Sequence, residues 1–386
     1  MGERNGRVFQ EFNVTEDSPE WNDWRWQYRN RICDAEGLSR ILDMSDAEKR
    51  DITECLTRFR MAVTPYYASL IDARDPYDPV RMQAAPSIRE TGTYPWEMND
   101  PLDEEKGSPV KNIVYRYPDR ALFLVTKCCS MYCRHCTRRR LVGEEDKAIT
   151  DEEIDAAIEF IRRTDPIRDV LVSGGDPLTL TDKRIEAIVS QLRKIDHVEI
   201  IRIGTRVPVT MPMRITPELL DMLKKYQPIW INTHFNHPKE LTDESIRACA
   251  RIVDAGIPLG NQSVLLKGIN DNAATIKELV LKLINARIRP YYLYQCDLNI
   301  GLEHFRTDVR TGINIIRSLT GSVSGFAIPT FIIDAPGGGG KIPLSPDYIV
   351  SIDDEKAIMK NYLGEITQYP QPRGDDCEMN RGRFWK

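Results

Sequence analysis

From about residue 110 onward the apolar positions of the chain fall into a repeating order. Short apolar runs recur at Ala121–Val125, Val170–Val172, Glu199–Ile203, Ile229–Ile231, Ile257–Gly260 and Pro290–Tyr294. Between them apolar residues return every three or four positions, the spacing that gives a helix one buried face. Helix starts are marked too. Thr150-Asp-Glu-Glu153 caps Ile154–Ile161, Thr216-Pro217 opens Glu218–Lys225, and Thr242-Asp-Glu-Ser245 opens Ile246–Asp254. Strands alternating with helices at this spacing predict βα units and a parallel sheet. Six units are counted, with Phe326–Ile333 as a further strand. Six is short of a closed eight-stranded barrel, which leaves an α/β partial (βα)6 barrel or a doubly wound sheet.

The two ends of the chain read differently. Residues 1–108 form a mainly helical or wrapping region: Trp21, Trp24, Trp26 and Tyr28 lie in a polar stretch, and Ser45-Asp-Ala-Glu48 fits a capping box. Pro and Gly are frequent between Thr64 and Pro109, which predicts irregular wrapping chain rather than compact core. The barrel is assigned to residues 109–335. Residues 336–386 are left as a lysine-bearing loop and a short C-terminal extension.

Unusual polar residues follow the strands rather than precede them. A cysteine loop follows the first strand, Ser173-Gly174-Gly175-Asp176 the second and Gly204-Thr205-Arg206 the third. Thr233-His234-Phe235-Asn236-His237 follows the fourth, Asn261-Gln262-Ser263 the fifth and Gln295-Cys296-Asp297 the sixth. Ligands of parallel α/β proteins bind at the carboxyl ends of strands, so these loops predict an active-site rim.

Composition narrows the setting. With 41% apolar and 29% charged residues and a net charge of −5, the chain lacks the basic footprint of a nucleic-acid binder. No apolar run is long enough to cross a membrane, and the first residues carry no secretory apolar core. Gly6 stands where a myristoylation signal needs Ser or Thr. Four of nine cysteines fall within Cys128–Cys136, which reads as metal binding in a reducing compartment, and the expectation is cytoplasmic.

Cys129, Cys133 and Cys136 stand in a Cys-x3-Cys-x2-Cys spacing. Three such thiolates can hold three irons of a four-iron cluster and leave the fourth iron open. A zinc site would need a fourth ligand, for which His135 or Cys128 are the candidates. Cys33, Cys55, Cys249 and Cys296 read as small buried apolar residues. Lys341 ends the run Asp334-Ala-Pro-Gly-Gly-Gly-Gly-Lys341. Ala335 and Ile342 stand where a phosphate loop needs Gly and Ser or Thr. A lysine in a flexible, close-approach loop instead suits a Schiff base with an aldehyde cofactor.

The cysteine spacing after a first strand, with Ser173-Gly174-Gly175-Asp176 after the second, resembles the radical S-adenosylmethionine superfamily. Closer similarity runs from about residue 20 to about residue 370. Trp24-Arg-Trp26, Met61-Ala-Val-Thr-Pro-Tyr-Tyr67, Cys133-Arg-His-Cys-Thr-Arg-Arg-Arg140, Asn232-Thr-His-Phe-Asn-His-Pro238, Tyr294-Gln-Cys-Asp297 and the Asp334–Lys341 motif all resemble the lysine 2,3-aminomutase family. The resemblance implies a [4Fe-4S] cluster on the three cysteines, with S-adenosylmethionine against Ser173, Gly174, Gly175, Asp176, Arg206 and His234. It also implies pyridoxal 5′-phosphate on Lys341, with Arg116 and Gln262 at its phosphate. Arg138 would take the substrate α-carboxylate, and Asp297 with Asp334 the side-chain ammonium. Two carboxylates would repel a glutamate side chain and suit lysine, while a guanidinium such as arginine's also fits them. An external electron donor of flavodoxin or ferredoxin type and a homo-oligomer are implied as partners of a small-molecule amino acid enzyme. Some relatives carry a C-terminal cysteine cluster for zinc; here Pro370–Lys386 has Cys377 alone, which counts against zinc.

Overall fold

The computed structural model of the chain describes residues 4–142 and 148–372, so Cys377 lies outside the described residues. Nine strands form one sheet in chain order: β1 (Ile113–Tyr117), β2 (Arg120–Leu124), β3 (Asp169–Ser173), β4 (Ile200–Gly204), β5 (Ile229–Thr233), β6 (Leu259–Leu265), β7 (Arg289–Gln295), β8 (Thr330–Ala335) and β9 (Gly340–Leu344). β2 to β8 are parallel. β1 and β9 run antiparallel to their neighbours at the two edges. The sheet curls into a nearly closed barrel whose edge strands share no ladder.

Six helices connect the parallel strands: Asp151–Arg162, Asp182–Arg193, Pro217–Lys224, Asp243–Asp254, Ala273–Asn285 and Val309–Leu319. Each strand alternates its side chains, so Val170 and Val172 of β3 are buried while Leu171 and Ser173 face the lumen. Thr150, Thr216 and Thr242 accept backbone N–H groups at the helix starts, as their sequence positions predict. The further strand lies at Thr330–Ala335, because Gly325–Ala327 turns as a short 3-10 helix.

Several sequence expectations change. Asn261-Gln262-Ser263 lies inside β6 rather than in a loop after it; Asn261 and Ser263 are buried and bond the backbone oxygen of Phe235. Lys341 is not on a flexible loop. It is the second residue of β9, paired across the ladder with Asp334. The glycines make the tight turn before it, with φ of +69°, +81° and +83° at Gly337, Gly338 and Gly340.

The stretch after Thr64 also departs from expectation. Residues 61–71 are buried throughout, and Pro65 opens a short helix capped by Thr64 rather than marking irregular chain. The Tyr66 and Tyr67 rings lie in the core, and the Tyr67 hydroxyl donates to Glu240 at 2.7 Å. One apolar cluster therefore runs from Val8 through Tyr67 to Phe331, joining the N-terminal helices to the barrel. Ser45 does accept the Glu48 N–H, but the Glu48 carboxylate pairs with Arg81 instead of returning to the cap. Cys33 is exposed, whereas Cys55, Cys249 and Cys296 are buried.

The C-terminal extension holds a separate antiparallel sheet of β10 (Ile349–Ile352), β11 (Lys356–Lys360) and β12 (Ile366–Pro370). Among the described residues no helix is long and apolar enough to cross a membrane.

Candidate functional site

One cavity of about 700 Å³ occupies the barrel lumen and the loops that follow the parallel strands. Every site residue singled out in the sequence lines it, although those residues come from positions as far apart as Arg116 and Lys341.

The cysteine loop forms one wall. It leaves β2 at Leu124 and is seated by the glycines after β3. The N–H of Gly175 donates to the oxygen of Thr126 at 2.6 Å, and that of Asp176 to the oxygen of Cys128 at 2.7 Å. A side chain on Gly174 would lie 2.4 Å from Thr126 O, and one on Gly175 2.2 Å from Cys128 O. Both glycines are therefore required by close backbone approach, with φ +129° at Gly174 adding a second reason. Burial and the neighbouring thiols push the Cys136 thiol up to about 11 and Cys129 upward as well. Burial thus disfavours their thiolates, which a bound cation would favour.

Arg206 links that wall to the rest of the molecule. Its guanidinium donates to Cys133 Sγ and to Glu240 at 2.8 Å each, and to Gln83 at 2.5 Å. Asp176 accepts from the Thr205 hydroxyl and the Arg206 N–H at 2.7 Å each and from the Leu178 N–H at 3.0 Å. Burial outweighs those bonds and lifts its carboxyl to about 6. His234 is held down at about 3 by burial and by Arg206, so it is neutral, and its Nε2 has no partner among the described residues. His135 stands beside it, ring centroids 5.7 Å apart, and is likewise held neutral by burial.

The opposite wall carries the acids and the lysine. Lys341 Nζ lies 2.9 Å and 3.2 Å from the two oxygens of Asp334 and 5.3 Å from the centre of the Tyr294 ring. Its backbone N–H donates to the Tyr117 hydroxyl at 2.9 Å, a side-chain bridge from β9 to β1. Asp297 accepts from the Thr137 hydroxyl at 2.8 Å. Burial first, and the Asp334 charge after it, raise the Asp297 carboxyl to about 6. Arg116 on β1 lies against the glycine turn, and Gln262 faces the lumen from β6. Arg138 is held by Glu104 at 2.8 Å.

Sequence reasoning missed Glu104, Thr137, Tyr292 and Tyr294 as lining residues. It also missed Glu90, which is buried and bonds both Arg134 and Arg139 behind the cysteine loop. Nothing in the spacing of the chain marks either glutamate, since each meets its arginine across more than thirty residues. The alternation of Tyr292 and Tyr294 along β7 does carry a signal, because period two places both on one face.

Comparison with known proteins places these motifs in context. Residues 123–280 match the family model described as the radical SAM superfamily, and residues 316–383 the one described as lysine-2,3-aminomutase. The L-lysine 2,3-aminomutase of Clostridium subterminale is 53% identical over 94% of this chain and 88% of its own. That of Acetoanaerobium sticklandii is 55% identical over 94% and 89%. The glutamate 2,3-aminomutase of Clostridioides difficile is 45% identical over 95% of this chain and 86% of its own.

Proposed function

The chain belongs to the lysine 2,3-aminomutase family of radical S-adenosylmethionine enzymes, and from that premise we propose that it interconverts L-lysine and L-β-lysine by moving the amino group between adjacent carbons. The observation that carries the substrate is the pair Asp297 and Asp334 on the wall that also bears Lys341. Two carboxylates facing one cavity, Asp334 buried and Asp297 half-buried, favour a cation between them, and the ammonium of Lys341 sits on Asp334.

The cofactors of the family fit the residues present. Three thiols of one loop face the cavity, with the Arg206 guanidinium donating to one sulfur. The unpartnered His234 Nε2 and the close-packed glycines stand beside them. Lys341 Nζ faces the same space. When bound, the reduced cluster with S-adenosylmethionine would supply a carbon radical for hydrogen transfer, and pyridoxal phosphate would supply the aldehyde carbon that holds the substrate nitrogen.

The residues of the chain bind and orient. Cys129, Cys133 and Cys136 would hold three irons of the cluster. Ser173, Gly174, Gly175, Asp176, Arg206 and His234 would surround S-adenosylmethionine. Lys341 would hold pyridoxal phosphate through its Nζ, and Arg116 and Gln262 would take its phosphate, a guanidinium fork matching phosphate oxygens. Arg138 binds the substrate α-carboxylate, while Asp297 and Asp334 bind the side-chain ammonium. Fixing both ends of the substrate sets which hydrogen faces the radical. The Leu102, Leu122, Val264 and Ile332 side chains in the lining keep water from reactive carbon.

The electron comes from an external donor of flavodoxin or ferredoxin type, and the compartment is the cytoplasm. A homo-oligomer is supported by apolar side chains left exposed on the C-terminal sheet, Ile349, Val350, Ile352, Ile366 and Tyr369. The stretches 1–108, 109–335 and 336–386 divide roles rather than folding units, since β9 at 340–344 completes the barrel sheet.

The test is a product assay on anaerobically reconstituted enzyme with S-adenosylmethionine, pyridoxal phosphate and reductant. L-lysine, L-arginine and L-glutamate are offered together and the products resolved by mass spectrometry. β-Lysine is the expected product. β-Arginine as the main product would overturn the substrate, and β-glutamate would overturn the role of the acidic pair.

A further inference from the structure

The cavity holds groups of opposite charge that have reason to neutralise one another. Arg138 is needed as a free cation for a carboxylate, and Asp297 as a free anion for an ammonium. Asp297 is near enough to act electrostatically on Arg138. A guanidinium on a long, mobile stem would swing onto such a carboxylate and close both subsites.

Glu104 holds Arg138 by one edge of its guanidinium. A guanidinium has a side edge, Nε with one Nη, and an end edge formed by its two Nη groups. Glu104 takes the side edge: Arg138 Nε lies 3.0 Å and 3.1 Å from its two oxygens, and Nη2 lies 2.8 Å from Oε1. Among the described residues none accepts a hydrogen bond from Nη1. Glu104 itself is buried, 4% exposed.

The chain around Glu104 is anchored on three sides of the cavity. Met98 N–H donates to Leu298 O at 2.7 Å, next to Asp297. Pro101 O accepts from Gly337 N–H at 2.9 Å, at the turn before Lys341. Arg140, from the cysteine loop, pairs with Asp100 at 2.9 Å. Glu104 is thus fixed relative to all the parts it has to serve.

We propose that Glu104 is a positioning residue for substrate recognition, holding Arg138 by its side edge so that the end edge stays turned to the cavity for the amino acid's α-carboxylate. The proposal rests on the reading of Arg138 as the carboxylate partner, and the experiment separates the two.

Protein loaded with pyridoxal phosphate but given no S-adenosylmethionine is titrated with L-lysine and with 1,5-diaminopentane, the same chain without a carboxylate. Binding is read from the cofactor's absorbance. Glu104→Ala is expected to weaken L-lysine by about tenfold or more, the worth of a hydrogen bond to a charged group, and to leave the diamine unchanged. Glu104→Gln keeps an acceptor oxygen and restores most of the lysine affinity. Should Glu104→Ala not fold, Glu104→Asp, one methylene shorter, is expected to lose lysine affinity selectively too. Equal weakening of both ligands would overturn the proposal, and so would tighter lysine binding, which would make Glu104 a competitor. Arg138→Ala is the control. If it fails to separate lysine from the diamine, the reading of Arg138 falls; if it separates them and the Glu104 variants do not, only the role of Glu104 falls.

Discussion

Keeping Asp297 ionised is costly while the cavity is empty, because burial and the Asp334 charge raise its carboxyl to about 6 from the ordinary 3.8. A raised folded value means that its favourable contribution to folding is fully present below about pH 4 and is lost as pH rises through 6. Asp297→Asn keeps an acceptor for Thr137 and removes the charge. The ligand-free variant should therefore be more stable than the parent at pH 8, by up to about 3 kcal/mol from the two-unit shift. That gain should vanish near pH 4, as urea unfolding at the two pH values would show. The same variant should raise KM for L-lysine well above the parent value, and an unchanged KM would remove Asp297 from the ammonium site. At Lys341, Lys341→Ala should abolish the absorbance of lysine-bound pyridoxal phosphate while leaving iron content unchanged. These residues were legible because their motifs are local: three cysteines in eight positions, a lysine after four glycines. The strand beneath Lys341 was not legible, since Pro336 and four glycines hide a ladder made with a partner seven residues back.

Between elements, the glycines after β3 and the glutamate behind the cysteine loop hold the thiols in place from opposite sides. Gly175→Ala places a methyl group where Cys128 O already sits at 2.2 Å, and backbone cannot yield there as a flexible side chain would. Reconstituted Gly175→Ala should bind markedly less iron and show weaker cluster absorbance, and full iron loading would count against this role. Glu90 acts from the far side. Burial opposes its ionisation, but the Arg134 and Arg139 guanidiniums win and hold it at about 2, below the ordinary 4.5. Its contribution is present above about pH 4.5 and lost as pH falls toward 2. Glu90→Gln should cost about 3 kcal/mol at pH 7, leaving two buried guanidiniums short of a counter-charge, and much less near pH 2. Helix caps at Thr150, Thr216 and Thr242 could be read directly because a cap and its donor are three residues apart. Glu90 and Glu104 could not, because their partners arrive through tertiary folding and no local pattern encodes that meeting.

Across the whole molecule, the N-terminal hundred residues are part of the barrel rather than an attachment to it. They supply Tyr67 and Gln83 to the Arg206 network, Glu90 to Arg134 and Glu104 to Arg138. They also share one apolar cluster with the strands. Deleting residues 1–108 should give insoluble or uncooperatively folding protein, measured by expression yield and thermal unfolding. A soluble, cooperatively melting fragment would refute this dependence. The frequency of Pro and Gly suggested a loose wrapping here, and composition alone does not reveal which prolines open helices and which tyrosines fill a core.

The edge strands β1 and β9 meet through the Tyr117 hydroxyl and not through a backbone ladder, which has a consequence for how large ligands come and go. A closed eight-stranded barrel is filled by its own side chains; this one keeps a seam. Parting the seam breaks side-chain bridges and the anchors of residues 98–107, while every hydrogen bond between β2 and β8 stays intact. Amide exchange should be slow along those interior strands with or without ligand, and should slow at 98–107 and 337–341 only when the cavity is filled. A passage at this seam would leave the ladders that carry the fold untouched.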